Sequence, residues 1–433
     1  MMKNNKSLPE RGKFWLVFLG WLFFPVLLLS QDLEVRLATR SSLKPLYLSA
    51  LQESEWRWVL EFDLNMSGYC TVLKPEERLE KALNEFDLSV WKKEKIPFCL
   101  SAQIVQNKLE VTAFNIEMET TKKYPPIPLE RYAVHRLADA IQKDFFGKEG
   151  IASLKLIYTQ RTKNGTEKGR NWLSEVWVSD SDGENGRPVT AEKSYCLSPF
   201  FIAGSADEFF YVSEKSGQSK IYRASLRNPE GELMVDLRGN QALPSLSKKG
   251  TQMAFITDVA GRPDLFIQNF DEKGLRLGKA RQFFSAPKAT QATPTYSPDG
   301  KQLAFVSDKD GPPRIYTMYV SAQKQTPRLI TKKNRENTSP SWSPDGTKLA
   351  YSAKVDGVRQ IWIYDFLSDE EMPLTTGPEN KENPSWAPDS FHLVYNTESD
   401  DVCELYVIHL NQGEPIQISK GPEQKRFASW QQR

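Results

Sequence analysis

Histidine and cysteine are scarce in this chain, three and four residues among 433, and that scarcity closes off whole classes of chemistry. No two cysteines stand in C-x-x-C spacing, which removes the usual thiol redox motif and a structural zinc site. His135, His392 and His409 fall in an expected helix and in two different strands, so a three-histidine metal centre is not expected. G-x-S-x-G, H-E-x-x-H and glycine-rich phosphate loops are missing as well. No cofactor or metal is expected, and no recognised catalytic motif is present.

Long hydrophobic runs are equally rare. The one example, Phe14 to Leu29, has 16 residues and is short for a membrane span. Lys3, Lys6, Arg11 and Lys13 flank it before and Ser30-Gln31-Asp32 follows, the order of a secretory signal over residues 1–30. Leu28 is a poor residue three places before that junction, which keeps an uncleaved anchor as the alternative. No cysteine follows where lipidation would need one. Without residues 1–30 the formal charge of +2 becomes −1, because four basic side chains and Glu10 leave together. A near-neutral body with interspersed Lys and Glu carries no electrostatic footprint for nucleic acid.

What the chain does have is a repeat. Thr293-Pro294-Thr295-Tyr296-Ser297-Pro298-Asp299-Gly300 returns as Ser339-Pro340-Ser341-Trp342-Ser343-Pro344-Asp345-Gly346, and again as Asn383-Pro384-Ser385-Trp386-Ala387-Pro388-Asp389-Ser390. Pro294 and Pro340 are 46 residues apart, Pro340 and Pro384 are 44. A weaker copy at Pro244 has lost the Pro-Asp pair, and two more lie at Leu156-Ile157-Tyr158 and Phe209-Phe210-Tyr211. Pro, Asp and Gly in this order between β-prone runs make a tight hairpin turn. Asp310-Gly311 and Asp356-Gly357 mark the next turn, and two further strands complete a four-stranded unit. Six such units form a β-propeller. Ala428-Ser429-Trp430 supplies only a first strand, and the unit from Ile151 starts on its second, so the last strand is expected to close the first blade. Trp342, Trp386 and Trp430 recur at one blade position, which argues for packing between blades.

Residues 31–148 have a different texture. Trp58 to Phe62 reads as a strand, Pro75 to Phe86 as a helix, and Phe98–Val105 with Leu109–Ile116 as a hairpin. Arg131 to Phe146 has the apolar spacing of an amphipathic helix. The expected architecture is an α/β N-terminal domain over 31–148 followed by an all-β six-bladed β-propeller over 151–433. Two disulfides, Cys70–Cys99 and Cys196–Cys403, would put one bridge in each domain, against the alternative of four buried thiols. Asp180-Ser181-Asp182-Gly183 lacks the further ligand spacing of a calcium loop and reads as a turn.

The export signal, Glu34-Val35-Arg36, the Arg131-Tyr132-Ala133-Val134-His135 helix running to Phe146-Gly147-Lys148, and the repeat x-P-x-W-S-P-D-G-x-x-L-A-[FY] together resemble the TolB family of the Tol-Pal system. The resemblance implies a periplasmic, non-enzymatic monomer that links inner-membrane TolA to the outer-membrane lipoprotein Pal. It would thereby support outer-membrane integrity and invagination during division, peripheral to the membranes and reaching them only through its partners. Carried onto this sequence, the TolA side falls on Leu33, Glu34, Val35, Arg36 and Leu37. The Pal side falls on blade-entry loops with Ala289, Thr290, Gln291, Asn334, Arg335, Glu336, Asn337, Thr338, Glu379, Asn380 and Glu382. The first three blades lack the SPDG turn, and residues 40–60 show no family pattern. The alternative is an exported propeller that binds a saccharide or peptide in its funnel, with or without hydrolase activity; convergent carboxylates or a metal there would favour it.

Overall fold

Hydrophobic patterning first sets up a six-stranded mixed sheet. The computed structural model describes residues 43–51, 55–85, 87–163, 172–321 and 326–432. The expected signal and the segment Leu33–Leu37 lie outside the described residues. Strand β1 (Lys44–Leu48), helix α1 (Glu55–Met66), strand β2 (Cys70–Leu73), helices α2 (Glu77–Asn84) and α3 (Leu88–Glu94), and strand β3 (Phe98–Val105) follow in order. Strand β4 (Lys108–Asn115), β5 (Thr120–Lys123), the short β6 (Ile127–Pro128) and helix α4 (Arg131–Phe146) complete the domain. The sheet order is β2-β1-β3-β4-β5, with β1 parallel to both neighbours. Helices α1 and α4 cover one face through Val59, Leu60, Leu64, Val134, Leu137 and Ile141. Helices α2 and α3 cover the other through Leu79, Leu83 and Trp91. Gln106 and Asn107, both left-handed with φ of 49° and 59°, turn the β3–β4 hairpin in the sense that matches strand twist.

Two expectations fail here. Trp58 to Phe62 is not a strand but the middle of α1. Five mostly apolar residues read as a strand, yet across twelve the buried positions Val59, Leu60, Asp63 and Leu64 recur with a helical period. Nor do the disulfides form: all four cysteines are free and buried. β1 lies between Cys70 and Cys99, with Lys44 opposite one and Tyr47 opposite the other. Two strand spacings are about 9–10 Å, beyond the ~7 Å reach of a bridge, and the two thiols belong to opposite faces of the sheet. Cys196 and Cys403 belong to blades separated by a whole intervening blade. Burial pushes the Cys70 thiol up to about 12, so it is unreactive at neutral pH.

Each propeller unit is a four-stranded antiparallel meander. Blade two begins at Cys196–Phe201, blade three at Gln241–Leu246, blade four at Gln291–Tyr296, blade five at Glu336–Trp342 and blade six at Asn380–Trp386. Blade one takes its inner strand from the other end of the chain: Gln424–Trp430 pairs with Lys155–Lys163, so the ring closes as expected. The apolar core is divided into six clusters, each shared by two neighbouring blades. Trp386 shows the logic, burying its ring and donating Nε1–H to the Ser341 carbonyl of the blade before, at 3.0 Å.

The prolines of the repeat have a backbone explanation. A proline inside the innermost strand would cost a ladder hydrogen bond, and is tolerated at a bulge. Every inner strand has a register shift at the same point, after a residue with φ between 40° and 54°: Ser198, Leu243, Thr293, Ser339, Asn383 and Phe427. The first five are followed by proline.

Trp430 is fully buried at the closing seam. Trp430→Ala is expected to lower unfolding free energy by about 3–5 kcal/mol. Its indole N–H has no partner, so Trp430→Phe loses no hydrogen bond and leaves a smaller cavity, and should cost less than Trp430→Ala. Chemical denaturation of the two variants measures both.

Candidate functional site

The ring has two unlike faces. Turns between first and second strands, such as Ser297–Gly300, lie on the face that carries the N-terminal domain: His392, at the start of a second strand, reaches the Met66 carbonyl of α1 at 2.7 Å. The other face carries the blade-entry loops and the turns between second and third strands. There the two kinds of loop are tied together. Thr290 donates its N–H and hydroxyl to the Asp308 carboxylate at 2.6 and 2.9 Å, and Asn240 donates its N–H and side-chain amide to the Asp258 carboxylate, both at 2.7 Å.

The expected docking residues divide on this face. Thr290, Arg335, Glu379 and Asn380 are exposed, and Asn334, Glu336, Thr338 and Glu382 are half-buried. Ala289, Gln291 and Asn337 are buried and present no side-chain surface to a partner. The reason is positional. Cys196, Gln241, Gln291, Asn337, Lys381 and Lys425 occupy one equivalent place in the six blades, and all are buried. Several grip carbonyls of their own entry loop: Gln241 holds Val235 and Leu237, Asn337 holds Asn334 at 2.8 Å, Lys381 holds Thr376 and Glu379. They clamp the loops that were expected to dock.

One residue that the sequence did not single out organises blades five and six. Arg359 follows the Asp356-Gly357 turn; its Nε lies 3.0 Å from Glu382, and its guanidinium reaches Glu336 at 3.8 Å and the Thr338 hydroxyl at 3.2 Å. Its backbone N–H is donated to the Asn380 side chain at 2.8 Å. Three expected docking residues therefore converge on a single guanidinium, and a fourth, Asn380, on the backbone of the same arginine. Arg426 pairs with Glu398 in the same way. Burial raises Glu382 and Glu398 above the usual carboxylate range, against the pull of Arg359 and Arg426 respectively. The turn position of Arg359 was the available signal, since a residue after a second-to-third-strand turn lands on this face.

At the opposite mouth a cavity of about 800 Å³ is lined by the bulged segments, including Ser339, Pro340, Ser341 and Asn383, together with Tyr69 and Lys148 beside the domain junction. A second cluster lies between the domains: ligand atoms of His135, Asp180 and Asp182 come within 4.8 Å of one another. Asp182 is already paired with Arg131, and Asp180 with Lys155 at 3.2 Å and Asn185 at 2.7 Å. Its cations are protein side chains, and we assign no metal to it.

The family model described as the TolB beta propeller domain matches residues 143–433. A TolB homolog of Protochlamydia amoebophila is 42% identical over 392 residues, 83% of each chain. One from Chlamydia trachomatis serovar L2 is 37% identical over 365 residues, covering 83% of this chain and 82% of the relative. The chain belongs to the TolB family. The crystal structure of TolB from Acinetobacter baumannii superposes with a TM-score of 0.76 over 90% of this chain and 97% of that one, at 22% identity, and so shares the fold. Within this TolB-family chain no helix of the described residues is long and apolar enough to cross a membrane.

All three histidines sit at the contact between the two domains. His135 of α4 places Nδ1 2.7 Å from Asp63 and Nε2 3.7 Å from Asp182 of blade one. Burial pushes Asp63 up to about 7, against the pull of His135. His392 directs Nδ1 to Asp389 at 2.5 Å and Nε2 to the Met66 carbonyl, so both nitrogens act as donors when the ring is charged. Burial alone would depress its pKa, but Asp389 and the carbonyl outweigh it and the net shift is upward. His409, buried beside His392, is held well below its usual value by burial and by that neighbour. Gly68, at φ 75°, lies so close that a Cβ would fall 2.2 Å from the His409 ring.

The signs of the two shifts differ. His392, raised in the folded protein, contributes stability that is complete below about pH 6.5 and is lost as pH rises through its folded pKa. His409, depressed, contributes stability present above that pH and lost as pH falls towards its folded pKa. The stability advantage of the wild type over His392→Gln should therefore shrink on the alkaline side. The advantage over His409→Gln should shrink on the acid side. Thermal unfolding from pH 5 to 9 measures both.

Proposed function

We propose that the chain is a periplasmic adaptor of the Tol-Pal system, docking the lipoprotein Pal on its blade-entry face. The segment Leu33 to Leu37 engages TolA, and the protein acts by binding and not by catalysis. The observation that carries this reading is the preformed polar surface around Arg359, with Arg335 exposed beside it. Loops fixed by Asp308, Asn337 and Lys381 lose little freedom on association, which favours binding without backbone rearrangement. The carboxylates near this face, Glu336, Glu382 and Glu398, are each held by an arginine, so they form no open cation or general-acid site. That arrangement weighs against the saccharide, peptide or hydrolase alternative. The adaptor would transmit force between the inner and outer membranes and so support envelope integrity and division.

Calorimetric titration of residues 31–433 with Pal tests the reading. Arg335→Glu is expected to weaken the complex by tenfold or more, about 1.4 kcal/mol. Asn337→Ala should instead lower thermal stability, since it frees a buried carbonyl from its clamp. Unchanged Pal affinity in Arg335→Glu would remove Arg335 from the interface, and no binding of wild type to either partner would overturn the adaptor reading.

A further inference from the structure

We propose that the outer edge of blade three is a docking edge for an extended, acidic segment of a partner protein, added to the sheet as a fifth strand. In five blades the outermost strand is vestigial: two residues in blades one, two, four and six, and four in blade five. Blade three is different, with an outer strand of nine residues, Arg276–Phe284. The sheet ends there, so one side of this strand offers unpaired backbone N–H and C=O groups. Such an edge is a template for strand addition, and proteins ordinarily shorten or cover it.

The strand is held firmly despite its irregular pairing. Its ladder with Asp264–Phe270 breaks between Ile267 and Asn269, and Gln268 fills the gap, donating to the Gly278 carbonyl at 3.2 Å. Phe283 and Phe284 anchor the far end against the core shared with blade four. The turn before it is fixed by Asp271, which accepts the Lys273 and Leu275 N–H groups at 2.9 and 2.8 Å. The edge is therefore preformed.

Its side chains specify the partner. Leu275 and Leu277 are 64% and 53% exposed. Lys273, Arg276, Lys279 and Arg281 are exposed around them, and none is ion-paired among the described residues. Basic residues alone could serve to keep an edge solitary. Two exposed leucines, Leu277 at the start of the strand and Leu275 in the turn before it, defeat that purpose, whereas apolar and basic side chains together fit a strand that alternates acidic with β-branched residues. The edge lies on the circumference of the ring, away from the entry loops, so occupancy of one leaves the other free.

The test uses residues 31–433 and a fluorescent ten-residue peptide alternating glutamate with valine and threonine, followed by anisotropy and amide hydrogen exchange. Saturable binding with protection confined to 276–284 is expected. The double variant Arg276→Glu/Arg281→Glu should weaken it at least tenfold, while Arg227→Glu on exposed blade-two surface changes it less than twofold. Absence of binding, equal binding of the lysine counterpart, indifference to the double reversal, or protection on the entry loops would each overturn the proposal. Pal affinity is measured in the same variants; its retention separates this edge from the entry-face reading.

Discussion

The seam between blades six and one bears on the rest of the molecule more than any other contact. A propeller blade cannot bury its apolar faces alone, so each needs two neighbours, and the first and last need each other. Pairing of Gln424–Trp430 with Lys155–Lys163 supplies that contact through residues separated by most of the chain. The cluster at this seam is also where the N-terminal domain enters: Met66, Ile151 and Leu154 join Leu156, Val394, Val407 and Trp430 in one core. Ring closure and domain docking are thus a single packing event. The Asp139 carboxylate secures the junction by accepting the Ala152 and Ser153 N–H groups, and Gly150 is needed because a Cβ there would lie 2.2 Å from that carboxylate.

Within the ring, symmetry and function separate. Positions that repeat faithfully, such as the tryptophans and the bulge before proline, are fixed by inter-blade packing and strand pairing. Departures from the repeat carry the individuality of the chain. Ser390 stands where three equivalent turns have glycine, and keeps a left-handed φ of 63°. It is stabilised there because its hydroxyl accepts the Asp345 N–H of the preceding blade at 3.0 Å. Arg359, likewise, belongs to one blade only and joins two entry loops.

Much of the fold was legible because turn chemistry and period are local signals. The SPDG turns, the closing strand and helix α4 follow from residue type and spacing alone. Helix α1 was not legible in a five-residue window, since a short apolar run reads as strand or helix alike over so small a length. The disulfide pairing failed for a different reason: cysteine count says nothing about which sheet face a thiol occupies, and Cys70 and Cys99 occupy opposite ones. The candidate site was half legible. Exposure of Arg335 and Glu379 follows from loop composition, but the burial of Gln291 and Asn337 becomes visible only when all six blades are placed in register. Cys196, Gln241, Lys381 and Lys425 then show the same place filled by different polar or thiol groups.

That substitution of Gln by Asn or Lys at one buried position is itself informative about how the entry face is built. A hydrogen-bonded clamp needs a donor of suitable reach, not one particular residue, because the acceptors are backbone carbonyls whose position the loop length sets. Loops of different length and composition can therefore be held rigid by exchanging a single clamp residue, without disturbing the strands beneath. The ring supplies stability through apolar contacts between blades, and the clamps convert it into fixed loop geometry. An entry face made this way can diverge in its exposed residues while its backbone stays ordered, because the exposed and clamping positions alternate along the same strand entry.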